Sequence, residues 1–170
     1  IRKRLKDLIG NDALAVTVST CHALAMRLMG ASFAGQIDRG EERDFDKVVV
    51  DATALLRGDG LQREEAEALR QTLIEGYRWI LVDEYQDIGP EEYGLIAAVA
   101  GRSLDDQDQR LSLFAVGDDD QNIYAFAGAS IEFIRRFEAD YHARPTYLVE
   151  NYRSTAAIIA AANRVIAPAA

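Results

Sequence analysis

The sequence predicts an α/β domain, a parallel sheet flanked by helices on both faces, with a small helical insertion. Three observations lead there. Short apolar runs alternate with stretches of helical spacing; two of those runs end in clusters of acids; and one region, between residues 30 and 78, breaks the alternation with helical patterns alone.

The runs Leu14–Val18, Trp79–Val82, Leu111–Val116 and Thr146–Val149 read as buried parallel strands, since a strand covered on both faces is apolar throughout rather than alternating. From Gly30 the stretch GASFAGQIDRGEERD is polar and reads as a loop. Phe45, Val48, Val49, Ala52, Leu55 and Leu56 then mark an amphipathic helix, with Asp44 placed as its N-cap. After a turn around Gly58–Gly60, a charged helix runs over Gln62–Glu75 with Ala66, Leu69 and Leu73 inward. Phe133, Ile134, Phe137 and Tyr141 share one face of a later helix. Ile158, Ile159, Ala162, Val165 and Ile166 share a face of the last one, which starts near Ser154 or Thr155.

Composition narrows the class. The chain has 170 residues, 49% apolar and 28% charged, the balance of a soluble globular domain with a real core. No apolar run approaches the roughly 20 residues of a membrane-spanning helix. IRKRLKDLIG is basic but lacks the apolar centre of a secretory signal, and the first residue is Ile1, so the chain reads as part of something longer. Cys21 is the single cysteine, which leaves no intrachain disulfide or Cys-based zinc cluster and suits a reducing cytosol. The net charge of −9 is the wrong sign for binding nucleic acid by bulk attraction, so any such contact needs a local patch or base stacking. The three lysines, Lys3, Lys6 and Lys47, follow no glycine-rich loop, and the phosphate-cradling GxxxxGK[ST] pattern does not occur in these residues.

Four segments carry candidate chemistry. In WILVDEYQD (79–87), two carboxylates follow a strand, at the end where α/β sheets place ligands. Asp83 suits a magnesium ion, which takes one or two carboxylates beside waters and phosphate oxygens, and Glu84 suits a base that polarises a water for attack on a phosphoryl group. The same pattern also fits a strand that ends in a solvated acidic turn. In LFAVGDDDQNIYAFAGA (113–129), Gln121 can touch a phosphate oxygen and a water together without a charge penalty. Tyr124 and Phe126, two apart, point the same way if extended and then form a stacking platform; the other fate of such rings is the core. In ENYRS (150–154), Tyr152 can stack on a base and Arg153 reach a phosphate, or the pair is incidental surface. In TVSTCHALAMRL (17–28), Thr20 and His22 stand at a helix start, a place that binds phosphate, although a lone histidine is usually structural.

Taken in order, these segments resemble the UvrD/Rep/PcrA-like family of superfamily 1A DNA helicases over nearly the whole chain. IRKRLKDLIG resembles the tail of the helix after motif Ia, TVSTCHALAMRL motif Ib, VDEYQD motif II (Walker B), VGDDDQNIYAFAGA motif III, and NYRS with its apolar helix motif IV. The resemblance implies a partial RecA-like P-loop NTPase motor domain. Residues 1–29 and 79–150 would be motor domain 1A, 30–78 a short helical 1B-like insertion, and 151–170 motif IV leading into domain 2A. It further implies ATP and Mg2+ as cofactors, translocation on single-stranded DNA with 3′ to 5′ unwinding at single/double-strand junctions, the remaining helicase domains as partners within the chain, no membrane, and a cytoplasmic, nucleoid-associated setting. By matching positions, Asp83 would hold magnesium, Glu84 activate the attacking water and Gln121 sense the γ-phosphate. Tyr152 would stack near the adenine, Arg153 act as an arginine finger, and Thr20, His22, Tyr124 and Phe126 line the DNA path. Two positions depart from the pattern: Ala127 stands where the family usually has arginine, and Cys21 where motif Ib has an aromatic. Without the Walker A loop, residues 1–170 are expected to be inactive by themselves. The alternatives are the helicase half of an AddA/RecB-like helicase-nuclease and a silent DNA- or protein-binding module. A phosphoacceptor domain built on Asp83 and Asp118–Asp120 is disfavoured, since no lysine follows a late strand.

Overall fold

The computed structural model describes residues 1–30, 45–102, 104 and 107–167. It is mostly helical around one small parallel sheet. Strand β1 (Trp79–Val82) pairs with β2 (Ser112–Ala115) in a register running from Trp79 opposite Ser112 to Val82 opposite Ala115. Helix α5 (Pro90–Ala100) connects them, the crossover a parallel pair requires.

Two of the four predicted strands are not formed. Residues Gly10–Ala15 wind into a 3-10 turn with Leu14 exposed, and Thr146–Val149 runs as unpaired chain with Leu148 88% exposed. An apolar run meets only half of what a strand needs; its backbone N–H and C=O groups must also find a neighbouring ladder. Among the described residues the sheet has two strands, and neither of those runs joins it. The expected helices on both faces are also corrected. Ile80, Val82, Leu113 and Ala115 pack against helices, whereas Trp79, Leu81 (74% exposed) and Phe114 project from the opposite, open face.

The helices build one core in two parts. Helix α1 (Arg2–Ile9) leads into α2 (Cys21–Leu28), and α3 (Phe45–Arg57) packs against α2 and α5. Small residues at the crossing, Ala25, Ala52 and Ala98, let the backbones approach, while Val49, Leu56 and Leu95 fill the space between. Helix α3 thus shares its core with α5, the helix that connects the two strands. Helix α4 (Arg63–Leu73) covers most of the expected charged segment; Asp44 and the loop before it lie outside the described residues. The turn from α3 to α4 requires Gly58: its φ is +71°, and an added Cβ would stand 2.1 Å from the Ala66 Cβ.

Arg70 of α4 is buried and donates to the Val99 carbonyl at 2.9 Å, with Ala98 and Gln109 carbonyls at 3.5 Å. The carboxyl end of α5 carries partial negative charge, and this cation answers it by donating to the Val99 carbonyl. Burial lowers the Arg70 pKa from its ordinary value.

Helix α6 (Ile131–Tyr141) starts at Ser130, whose hydroxyl accepts from the Glu132 N–H at 3.3 Å. Its predicted face packs on Tyr85, Ile88 and Ile96: Phe137 meets Tyr85 edge-on at 5.0 Å and Phe133 stacks on Tyr93 at 4.4 Å. Burial pushes the Tyr85 phenol far up, so it stays neutral. Helix α7 (Ala156–Ile166) has the predicted apolar stripe, yet none of its residues is buried. Among the described residues no helix is long and apolar enough to cross a membrane.

Candidate functional site

The site begins where the ladder ends. The Val116 N–H donates to the Val82 carbonyl and the Tyr85 N–H to the Val116 carbonyl, each at 2.9 Å, so both chains leave the sheet together. Asp83 is exposed just past β1, and its Oδ1 accepts from the Glu84 N–H at 3.1 Å. Glu84 is left-handed, with φ 52° and ψ 48°, a conformation that costs a non-glycine residue roughly 1–2 kcal/mol. It turns the chain into the tight helical turn Tyr85–Asp87, closed by the Asp87 N–H on the Glu84 carbonyl at 2.9 Å, which buries Tyr85 and Gln86 and leaves the Glu84 carboxylate outside.

The second acidic turn lies beside it. Asp118 caps the turn Asp119–Gln121: Oδ1 accepts from the Asp120 N–H at 3.1 Å and Oδ2 from Gln121 Nε2 at 2.7 Å. Arg135 of α6 donates to Asp119 Oδ2 at 3.0 Å, which anchors the outer edge of the turn. Gln86 joins the two turns. Its Nε2 donates to Glu84 Oε2 at 2.8 Å, its Oε1 accepts from the Asp118 N–H at 3.0 Å, and its carbonyl accepts from Asn122 Nδ2 at 2.5 Å. Glu84 and Gln121, read separately in the sequence, therefore belong to one hydrogen-bonded chain. Gln86 and Asn122 were not singled out from the sequence, and Asp118 was read only within the acidic run Asp118–Asp120. The only local signal was an amide residue in the turn after a strand, and its partner lies 32 residues away.

Tyr124 and Phe126 do not sit on extended chain. A 3-10 turn over Ala125–Ala127 sets their ring centroids 6.1 Å apart at 48°, and Phe126 is 86% exposed. They are surface rings, brought close by a turn rather than by strand alternation. Thr20 caps α2, its Oγ1 accepting from the Ala23 N–H at 3.2 Å. His22 Nδ1 lies 4.0 Å from Glu92 Oε1, and Glu92 Oε2 accepts from the Gly89 N–H at the start of α5. Between them Cys21 is held as a thiol, its pKa pushed up to about 11 by burial and by the Glu92 charge. Tyr152 and Arg153 are exposed, and their hydrogen bonds stay local. The Tyr152 hydroxyl bonds the Glu150 carboxylate, and the Arg153 N–H donates to Asn151 Oδ1 at 2.9 Å. None of these bonds links residues 150–154 to the Glu84–Gln121 chain.

The Asp83 carboxylate, exposed at a strand's carboxyl end, fits magnesium by its hard oxygens. Among the described residues no group of three or more His, Cys, Asp or Glu converges on a metal position, so the remaining ligands of such an ion would be waters and phosphate oxygens.

Both turns stand at the carboxyl ends of neighbouring parallel strands, the end at which open α/β sheets bind their ligands. Residues 31–142 match the UvrD/REP helicase N-terminal domain, and the chain belongs to that family. It is 42% identical over 125 residues to the ATP-dependent DNA helicase UvrD1 of Mycobacterium bovis, covering 73% of this chain and 15% of that protein. With UvrD1 of Mycobacterium leprae the identity is 38% over 160 residues, or 92% of this chain and 19% of the relative. With the ATP-dependent DNA helicase PcrA of Staphylococcus aureus it is 33% over 146 residues, or 85% and 18%. The chain thus spans less than a fifth of the length of these relatives.

Proposed function

We propose that residues 1–170 form the central part of an ATP-driven DNA helicase motor. Residues 1–29 and 79–150 belong to its first motor domain, 30–78 to a short helical insertion and 151–170 to the passage into the second motor domain. The observation that carries this reading is the bonded chain from Glu84 through Gln86 and Asp118 to Gln121, at the edge of the sheet where phosphates bind.

In this reading the Glu84 carboxylate orients a water and takes its proton as the water oxygen bonds the γ-phosphorus. The bond from the γ-phosphorus to the bridging oxygen breaks, and ADP leaves with the electron pair. Asp83 would hold a magnesium ion, which would supply charge neutralisation on the phosphate oxygens. Gln121 keeps one amide N–H on Asp118 and has the rest of a neutral amide for phosphate and water. Tyr152 stacks on the base of the nucleotide, and Arg153 places positive charge on the transition state. Thr20, His22, Tyr124 and Phe126 contact single-stranded DNA, with the two exposed rings stacking on bases. A chain of net charge −9 does not hold a polyanion by bulk attraction.

The test is strand separation by the longer protein that carries these residues, on duplexes with a single-stranded tail at one end. Release of the displaced strand with ATP and magnesium from a 3′-tailed duplex, and not from a 5′-tailed one, is expected. Absence of ATP-dependent release from both would overturn the reading.

A further inference from the structure

We propose that Gln86 is a positioning residue that couples the water-activating carboxylate of Glu84 to the phosphate-sensing turn at Asp118–Gln121. The inference rests on the reading of Glu84 and Gln121 above and adds a residue and a role to it. Gln86 is 1% exposed, and its side-chain amide is used at both ends: Nε2 donates to Glu84 Oε2 at 2.8 Å and Oε1 accepts from the Asp118 N–H at 3.0 Å. The amide has one workable orientation. Rotated by 180°, it would set a carbonyl oxygen against a carboxylate and an N–H against an N–H, so the two bonds form or fail together.

Three further features hold this bridge in place. Asn122 Nδ2 donates to the Gln86 carbonyl at 2.5 Å, which fixes the backbone from the side of the second turn. Gly117 leaves room for the amide, since a Cβ there would stand 2.6 Å from Gln86 Oε1 and 3.1 Å from the Tyr85 nitrogen. Glu84 is held left-handed at φ 52°, and such strain persists where the surroundings over-determine it. A buried position needed only for packing is filled by an apolar side chain without desolvating an amide. Here the amide instead ties an exposed carboxylate to the loop that bears Gln121. A shift of that loop on meeting phosphate is thereby passed to the base through two hydrogen bonds.

The experiment uses the full-length protein that carries this chain and measures DNA-stimulated ATP hydrolysis. Gln86→Met keeps length and volume without hydrogen-bonding groups, and Gln86→Glu keeps the acceptor for Asp118 while losing the donor to Glu84. Both are expected to lower kcat by about 10–100-fold while KM for ATP moves by less than about 3-fold, the pattern of a misplaced catalytic group rather than of lost binding. Combining Gln86→Glu with Gln121→Ala is expected to lower kcat hardly more than the worse single change, because both act on one unit. Melting curves on each variant identify loss of fold; if Gln86→Met melts early, the result is read from Gln86→Glu. Glu84→Gln is run beside them. If it abolishes turnover while folded Gln86 variants keep wild-type kcat, or if the double variant is additive, the positioning role is overturned and the reading of Glu84 stands. If Glu84→Gln itself turns over normally, the reading of the site falls first, and this inference with it.

Discussion

The backbone N–H of Tyr85 donates to the carbonyl of Val116 at 2.9 Å, one step past the last paired residues of the β1–β2 ladder. This bond carries the sheet's register beyond its own strands. It fixes where the chain after Trp79–Val82 turns relative to the chain after Ser112–Ala115, and so sets Glu84 beside Asp118 across the bridge of Gln86. The sheet is short, and its role is to align two acidic turns.

Gly117 is the residue on which that alignment depends most. An alanine Cβ there would meet Gln86 Oε1 at 2.6 Å and Ile134 Cδ1 at 2.8 Å, with backbone at 3.1 Å. Gly117→Ala is expected to destabilise the chain by about 1–3 kcal/mol, the usual range for overpacking. Thermal or urea unfolding checks this; an unchanged melting point would show that the turn yields freely.

Phe126 is expected to act on the surface. Phe126→Ala in the longer protein should weaken single-stranded DNA binding by the roughly 1–3 kcal/mol of one base–aromatic stack, about five- to 150-fold. The slope of affinity against salt should stay the same, since no phosphate contact is lost. The melting point should barely move, because the ring is 86% exposed. Unchanged DNA affinity would remove the stacking role.

Asp140 is expected to make stability depend on acid. Burial pushes its carboxyl up, but the Tyr93 hydrogen bond at 2.5 Å and the charges of Arg102 and Arg136 outweigh that and hold it below its ordinary value. A group lowered in the folded state contributes stability above its unfolded pKa and loses it as pH falls through the folded value. Asp140→Asn should therefore melt lower than the parent at pH 7. The gap should close as pH falls below about 4. A gap independent of pH would mean that the charge contributes nothing.

The helical faces were legible in the sequence because packing demands periodicity. Phe133, Ile134 and Phe137 meet the core as their spacing foretold, and so do Val49, Ala52 and Leu56. The strands were half legible. Trp79–Val82 and Ser112–Ala115 pair, while Leu14–Val18 and Thr146–Val149 do not, because apolar content says nothing about whether a ladder partner is present. Asp83, Glu84 and Gln121 could be picked out by residue type, but the bridge through Gln86 could not, since it joins segments that are neighbours only in the folded chain. Tyr124 and Phe126 come together by a route that alternation did not foresee, a 3-10 turn.

Residues 1–170 alone are expected to hydrolyse no ATP above background and to gain little thermal stability from millimolar ATP and magnesium. The sequence contains no GxxxxGK[ST] loop, whose amides and lysine supply much of the phosphate affinity. Robust turnover by the purified chain would contradict this.

The acidic turn after β1 as the seat of ATP hydrolysis is tested most directly by Glu84→Gln in the longer protein, with nucleotide binding and turnover measured on the same preparation. The substitution keeps size and hydrogen-bonding reach and removes the charge that takes the proton. Turnover should fall by about 10²–10⁴-fold, the contribution of a positioned general base, while magnesium-nucleotide affinity stays within a few-fold. Turnover near the wild-type rate, with binding intact, would place the base elsewhere.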